Sequence, residues 1–316
     1  MKIYLLGHKA PDLDSVSGPV GYAEFLKKVK RYEDAELVPA VCEEVNKETE
    51  VIFSKFGIPL PQKISDSDLQ DEDRVILIDH NEVDQRMPGL EDDKVIEIVD
   101  HHKIKVNFTS PIRIDVRPHG SVSSVIYENY LKEGVEPSKP VAGLFLASIL
   151  SDTQGLKSST TTGWDIKSAE ELAEQTGTNI ASLTFEIFKA KSDITGLSAE
   201  EIIRKDYKIF DFGGRKVFIG QVETVEPEKV LSMVDKLLPA IEEVKAQEDV
   251  GLLFLAITDI LKVNSKIIYS TEEEQKIAEE AFDGVGENSI INIGPRMSRK
   301  KDIAPEIEKV LAEDTT

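Results

Sequence analysis

The chain is short of several things that would place it in a familiar class. It has one cysteine, Cys42, in 316 residues, which excludes an internal disulfide framework and suits a reducing compartment. Basic residues are outnumbered, 38 Lys and Arg against 59 Asp and Glu, for a formal net charge of −21. An acidic excess of that size argues against a general nucleic-acid binder, because polyanions are held by counterion release at basic surface. No apolar run approaches the roughly 18 residues of a membrane-spanning helix. The opening Met1-Lys-Ile-Tyr-Leu-Leu-Gly-His8 is too briefly apolar for a secretory signal peptide. Histidine is scarce too, and all five lie between His8 and His119. Together these features predict a soluble, cytoplasmic protein with neither nucleic acid nor membrane as a partner.

What is present is the composition of a folded globular chain, 40% hydrophobic and 31% charged. At about 150 residues per domain, the length predicts two domains. Lys2–Leu6 is a short apolar run, and Arg74–Asp79 and Lys94–Asp100 are β-branched runs ending in aspartate, as buried parallel strands read. Helical patterns fall at Gly21–Lys30, Val125–Glu133, Val141–Leu150, Asp165–Glu174 and Ile180–Lys189. Gly18-Pro19 reads as the start of the first helix, where a first turn tolerates proline. The alternation predicts an α/β fold whose N-terminal domain is a parallel, doubly wound sheet with helices on both faces. Polar and turn residues from Lys191 set the predicted boundaries at 1–190, a hinge linker 191–197, and a smaller domain 198–316. That second domain reads as mixed α/β, with helices Ala199–Ile209, Glu228–Ala246, Glu272–Phe282 and Pro305–Ala312. Its strands are expected at Lys216–Glu223, Val250–Ile257, Lys266–Tyr269 and Ile290–Ile293.

The chemistry gathers at strand ends. Gly7-His-Lys-Ala-Pro-Asp-Leu-Asp-Ser15 crowds an imidazole and two carboxylates, His8, Asp12 and Asp14, into one loop. Such a group repels itself without a cation, and its mixed donors suit manganese, cobalt, zinc or iron better than calcium. The same loop also reads as a polar turn whose Asp or Ser caps the next helix. Asp79-His-Asn-Glu82 and Asp100-His-His-Lys103 each follow an apolar strand, at the carboxyl ends where open α/β sheets bind ligands. Ser151-Asp-Thr153 closes a very apolar helix, where a buried Asp152 needs a partner. Far along the chain, Gly294-Pro-Arg-Met-Ser-Arg-Lys-Lys301 concentrates Arg296, Arg299, Lys300 and Lys301, a cluster suited to phosphate or to a plain basic turn.

In this order the motifs resemble the family II inorganic pyrophosphatases of the DHH phosphoesterase superfamily, over nearly the whole chain and with a second domain of the DHHA2 type. The resemblance implies hydrolysis of pyrophosphate to two phosphates at a binuclear site of manganese or cobalt ions, with magnesium arriving with the substrate. His8, Asp12 and Asp79 would hold one ion, and Asp14, Asp79, His101 and Asp152 the other, with Asp79 bridging. Asp100 would orient the ligands. His102, Arg299, Lys300 and an early second-domain lysine, Lys208 in preference to Lys205, would grip the substrate. The resemblance also implies a homodimer formed through the first domain and a hinge that closes the second.

The chain departs from the usual family loop at Ala10 and Leu13, where the family reads Asn and Thr. Neither is an expected ligand, so the metal site should survive, with an effect on rate or metal preference. Asp302 stands where the family often has Gln, which would weaken the grip slightly, and His119 has no assigned role. Two alternatives remain. One is another DHH phosphoesterase acting on polyphosphate, oligonucleotides or cyclic dinucleotides. Its nuclease-type members carry a Gly-Gly-Gly-His signature that Gly213-Gly214 does not reproduce. The other is a non-catalytic regulator that binds metal or phosphate. The short segment Ile64–Asp73 leaves no room for a nucleotide-sensing insertion.

Overall fold

The computed structural model describes residues 1–313 and divides into two compact units, Met1–Lys191 and Ser192–Thr316. The first runs β1 (Lys2–Leu6), α1 (Leu13–Lys28), β2 (Glu36–Val41), α2 (Lys47–Phe56), β3 (Gln62–Lys63), β4 (Arg74–Ile78), β5 (Val95–Asp100) and β6 (Arg113–Val116). It closes with α3 (Val122–Lys132), α4 (Lys139–Asp152), α5 (Gly163–Thr176) and α6 (Ile180–Lys191). All pairings are parallel, in the order β3-β2-β1-β4-β5-β6.

The apolar runs follow from burial on two faces. In β1, Ile3 and Leu5 enter one core cluster and Tyr4 and Leu6 the other; in β4, Ile76 and Ile78 oppose Val75 and Leu77. Successive side chains of a strand point to opposite faces, so a strand covered on both sides reads as an unbroken apolar run. Each such fully buried side chain stabilises by roughly 1.5–3 kcal/mol. The two faces are covered unequally. All six α-helices contribute to one cluster, while the other is covered by connecting segments that include single 3-10 turns such as Asp66–Asp68 and Val83–Gln85. Strand order reverses between β1 and β4, the place where this topology opens a crevice beyond the strand ends.

The second unit runs α7 (Ala199–Ile203), β7 (Tyr207–Phe212), β8 (Arg215–Thr224), α8 (Pro227–Leu231), α9 (Val234–Glu248), β9 (Leu252–Asp259) and β10 (Asn264–Ile268). Then come α10 (Glu272–Phe282), β11 (Gly286–Glu287), β12 (Ile290–Gly294) and α11 (Ala304–Glu313). Its sheet is mixed, ordered β11-β12-β10-β9-β8-β7, with β8 and β9 parallel and the other pairs antiparallel. Helices α10 and α11 cover one face, α7, α8 and α9 the other. Among the described residues, no helix is long and apolar enough to cross a membrane.

Three expectations change. The helix expected over Ala199–Ile209 stops at Ile203, and Tyr207–Phe212 pairs with β8 through a turn at Gly213 and Gly214, both at positive φ. The hairpin partner decides this, since the segment alone carries no distinct period. The long helix expected at Glu228–Ala246 is two helices. Helix α1 begins at Leu13, not Gly21, so Pro19 lies inside it rather than in its first turn.

Candidate metal centre

The loop after β1 is built by a close approach. A Cβ on Gly7 would lie 2.0 Å from the carbonyl oxygen of Ser15, so only glycine lets the strand end meet the first turn of α1. Pro19, four residues on, has no N–H to offer that carbonyl. Ala10 turns at φ 49, and its N–H donates to Glu43 Oε2 at 2.7 Å. Asp12 is the N-cap of α1: Oδ1 accepts from the Ser15 N–H at 3.0 Å. Its other oxygen, Oδ2, lies 3.6 Å from His8 Nε2. Capping and metal-type grouping thus coexist in one carboxylate.

Asp79 follows β4 in the left-handed region at φ 67, its N–H donating to Val99 O at 2.9 Å. Its side chain is 2% exposed, with Oδ2 3.5 Å from His8 Nε2 and Oδ1 3.1 Å from His101 Nε2. Among the described residues, Oδ1 has no hydrogen-bond partner while His101 is neutral and its Nε2 carries no proton. A buried carboxylate oxygen without one is costly, by an amount on the order of 1–3 kcal/mol or more, which a cation would remove.

The two imidazoles are held alike. His8 Nδ1 lies 2.7 Å from Lys9 O, and His101 Nδ1 lies 2.9 Å from His119 O. A carbonyl only accepts, so each Nδ1 donates, and in the neutral ring the lone pair is left on Nε2, the form a metal binds. His119 therefore acts through its backbone, while its Nε2 sits 3.1 Å from Glu128 Oε2. Burial disfavours a charged His8, but Asp12 and Asp79 push it up to about 11; against burial, Asp79 likewise lifts His101 to about 10. Asp12, half-buried, is held down to about 2 by His8 against the cost of its partial desolvation.

Asp14, in α1, is wholly buried beside the N-terminus of α3. It accepts from Ser121 Oγ (2.8 Å), Val122 N (2.6 Å), Ser123 N (3.1 Å) and Ser123 Oγ (2.5 Å). Even so, burial and the charge of Asp79 raise it above the usual carboxylate range. Asp152, last residue of α4, is raised further by burial and by Asp14, Asp12 and Asp79. Four carboxylates this close cannot all stay ionised without positive charge.

Asp100 ends β5 and faces inward. Oδ1 accepts from His101 N (2.7 Å), His102 N (3.2 Å) and His102 Nδ1 (2.9 Å), and Oδ2 from Asn81 Nδ2 (2.6 Å). The hydrogen bond from Asp100 raises the His102 imidazole, and despite burial the same contact lowers Asp100. Sequence reasoning missed Asn81. It ties Asp100 to the next loop, donating to Lys103 O (3.0 Å) and accepting from Lys105 N (2.7 Å). The signal available was its place two residues after Asp79. A cleft of about 420 Å³ opens over His8, Asp79, His80, Glu82, His102 and Lys103.

One donor atom each from His8, Asp12 and Asp79 lies within 4.8 Å of the others, as do donors of Asp14, His101 and Asp152. A third such group, Asp79, Asp100, His101 and His102, overlaps both. Imidazole nitrogen with carboxylate oxygen fits manganese, cobalt, zinc or iron. In the second unit, Arg299 Nη2 donates to Asp206 Oδ1 at 2.9 Å, two residues before Lys208. Lys208 lies on β7, not on a helix, with Nζ 5.3 Å from the centre of the Phe210 ring, and Lys300 is exposed. Asp302 Oδ2 accepts from Met297 N (3.1 Å) and Ser298 N (2.8 Å), fixing the turn that carries Arg299.

A parallel α/β unit with imidazoles and carboxylates at its switch point, followed by a mixed α/β unit, defines a two-domain protein built to hold divalent metal. Residues 2–149 match the DHH family, N-terminal domain, and residues 185–310 match the DHHA2 domain. The chain is 38% identical over 315 residues to the manganese-dependent inorganic pyrophosphatase of Methanocaldococcus jannaschii, covering 97% of this chain and 98% of that one. It is 35% identical over 308 residues to that of Methanothrix thermoacetophila, covering 97% of each. A crystal structure from Methanococcus jannaschii, assigned to the family II inorganic pyrophosphatases, matches with TM-score 0.61 and 37% identity over 98% of this chain and 99% of that one. The chain belongs to the family II, manganese-dependent inorganic pyrophosphatases.

Proposed function

We propose that this protein hydrolyses inorganic pyrophosphate to two phosphates with two divalent ions, manganese or cobalt, held in the first unit. The observation that carries the reading is Asp79, whose two oxygens lie 3.5 Å and 3.1 Å from the Nε2 atoms of His8 and His101. A buried carboxylate with one oxygen turned to each imidazole is placed where it would serve both ions. His8, Asp12 and Asp79 would hold one ion, and Asp14, Asp79, His101 and Asp152 the other. When bound, such ions supply the charge that makes water a nucleophile near neutral pH and align it for in-line attack on phosphorus. The names of the relatives, and their coverage of nearly the whole chain, support pyrophosphate as the substrate.

The chain's own residues handle the anion. Asp100 fixes His102 at the cleft wall and favours its protonated form, so that it donates to a phosphate oxygen. Lys208, Arg299 and Lys300 neutralise charge growing on the leaving phosphate, the arginine fork spanning two oxygens. Magnesium would arrive with the substrate, as the family resemblance implies. No protein nucleophile is needed, so Cys42 stays outside the chemistry. Residues 191–197 serve as a hinge and the first unit carries a homodimer contact in a cytoplasmic setting; the family resemblance supports these points.

The test is phosphate release by the metal-stripped full chain, given magnesium alone or with added manganese or cobalt, on pyrophosphate, tripolyphosphate and a dinucleotide. Release from pyrophosphate that depends on manganese or cobalt is the expected result. Activity confined to the longer substrates overturns it in favour of a sister phosphoesterase. Asp79→Ala should lose both manganese binding and activity, whereas Lys300→Ala should keep manganese and raise KM.

A further inference from the structure

The segment that carries Arg299 is held from below by side chains of the sheet. Gln221, on β8 and 5% exposed, donates from Nε2 to Met297 O at 2.8 Å and to Thr258 Oγ1 at 3.0 Å. Its Oε1 accepts from the Arg299 N–H at 3.2 Å. On β9 and β10, the buried hydroxyls of Thr258 and Ser265 lie 2.9 Å apart, and Ser265 Oγ donates to Arg296 O at 2.5 Å. Because a carbonyl only accepts, the Ser265 proton is committed to Arg296. The Thr258 proton must then point to Ser265, and Thr258 can only accept from Gln221. The chain of donors has one direction, Gln221 to Thr258 to Ser265 to the Arg296 carbonyl, with one residue drawn from each of three neighbouring strands.

We propose that Gln221 is a positioning residue for the phosphate grip of Arg299 and Lys300, an inference that rests on the pyrophosphatase reading above. A buried carboxamide is costly unless satisfied, and an apolar residue would fill the same strand position with nothing to satisfy. What Gln221 adds is direction. It fixes the carbonyl of Met297 and the N–H of Arg299, and through the two hydroxyls the carbonyl of Arg296. The backbone from which the guanidinium and the Lys300 ammonium project is thereby set. Two donors and one acceptor are required at that point. Glutamate supplies no donor, and asparagine is one methylene shorter. A displacement of about 1 Å in a substrate-positioning group can cost on the order of 10²-fold in rate.

The test compares the manganese-loaded full chain with Gln221→Met, which keeps length and loses every polar contact. Thr258→Val, which breaks the chain at its middle, is the second variant should the first not fold. Amide hydrogen exchange across residues 296–302 should quicken at least tenfold, with β9 and α10 unchanged and manganese bound as in wild type. KM for pyrophosphate should rise tenfold or more, with kcat falling less. Combined with Arg299→Ala, the loss should be well short of the product of the single losses. Unchanged exchange in that segment, unchanged KM in an active protein, or fully multiplicative losses each overturn the proposal. A wild type that leaves pyrophosphate intact sinks the pyrophosphatase reading instead, and the exchange measurement still decides whether Gln221 positions the segment.

Discussion

The Nδ1 of His101 donates to the backbone carbonyl of His119 at 2.9 Å, so the backbone of His119 sets the tautomer of a proposed metal ligand. The carbonyl is itself held in place. Asp165 accepts from Gly120 N at 2.9 Å, Ser124 Oγ at 2.6 Å and both Thr162 N and Oγ1, tying the loop to α3 and α5. Asp165→Ala should cost roughly 3 kcal/mol through unsatisfied buried donors. It should also weaken manganese binding about 10–100-fold, as loss of outer hydrogen-bond support does. Urea unfolding and manganese titration would read the two effects; lost stability with unchanged affinity would sever the link between Asp165 and His101.

Ala10 occupies the left-handed region at φ 49, a conformation that costs an ordinary residue about 1–2 kcal/mol and that asparagine tolerates better. Ala10→Asn should therefore raise stability by about 0.5–1 kcal/mol, seen as a higher Tm of the metal-free protein. A fall in Tm would show that backbone strain at this position is not what limits stability, since the N–H bond to Glu43 is kept in the variant.

Asp12 combines a helix cap with a place beside His8, and the two can be separated. Asp12→Ser keeps a capping oxygen, so metal-free stability should change by no more than about 0.5 kcal/mol. If the centre holds two ions as proposed, the bound manganese should fall from two towards one. Calorimetric titration beside thermal unfolding would check this; two tightly held ions in the Ser variant would remove Asp12 from the ligand set.

Acidity enters through His102. Its hydrogen bond to Asp100 raises the imidazole above its ordinary value of about 6.5, so the charged form persists to higher pH. The sign follows: the imidazole's contribution to folding fades as pH rises through its raised pKa, while that of Asp100, which the same contact lowers, is lost only as pH falls through the carboxylate range. Pyrophosphate affinity should fade over the same limb. Asp100→Asn should move that loss to lower pH, read as KM against pH with saturating manganese, and an unmoved limb would assign it to another group.

The sequence alone determined a good deal. The doubly apolar runs of β1, β4 and β5 reveal a parallel sheet because burial on both faces leaves no polar alternation. Their ends carry His8, Asp79 and Asp100 in plain sight, and short motifs with fixed internal spacing pointed to the family. Other features were masked. Pro39 within β2 obscures a strand, Gly18-Pro19 hides the first turns of α1, and β7 takes its form from its hairpin partner.

Only the tertiary structure decided how the centre is assembled. Asp14 meets the N-terminus of α3 across more than a hundred residues, and Asp79 turns one oxygen to each imidazole. Asn81 stitches Asp100 to the next loop, and Gln221 reaches a segment 76 residues on. The physical reason is common to all of these. Their partners lie on other elements or are backbone N–H and C=O groups, which every residue carries alike, so no local pattern of side chains announces them until the chain has folded.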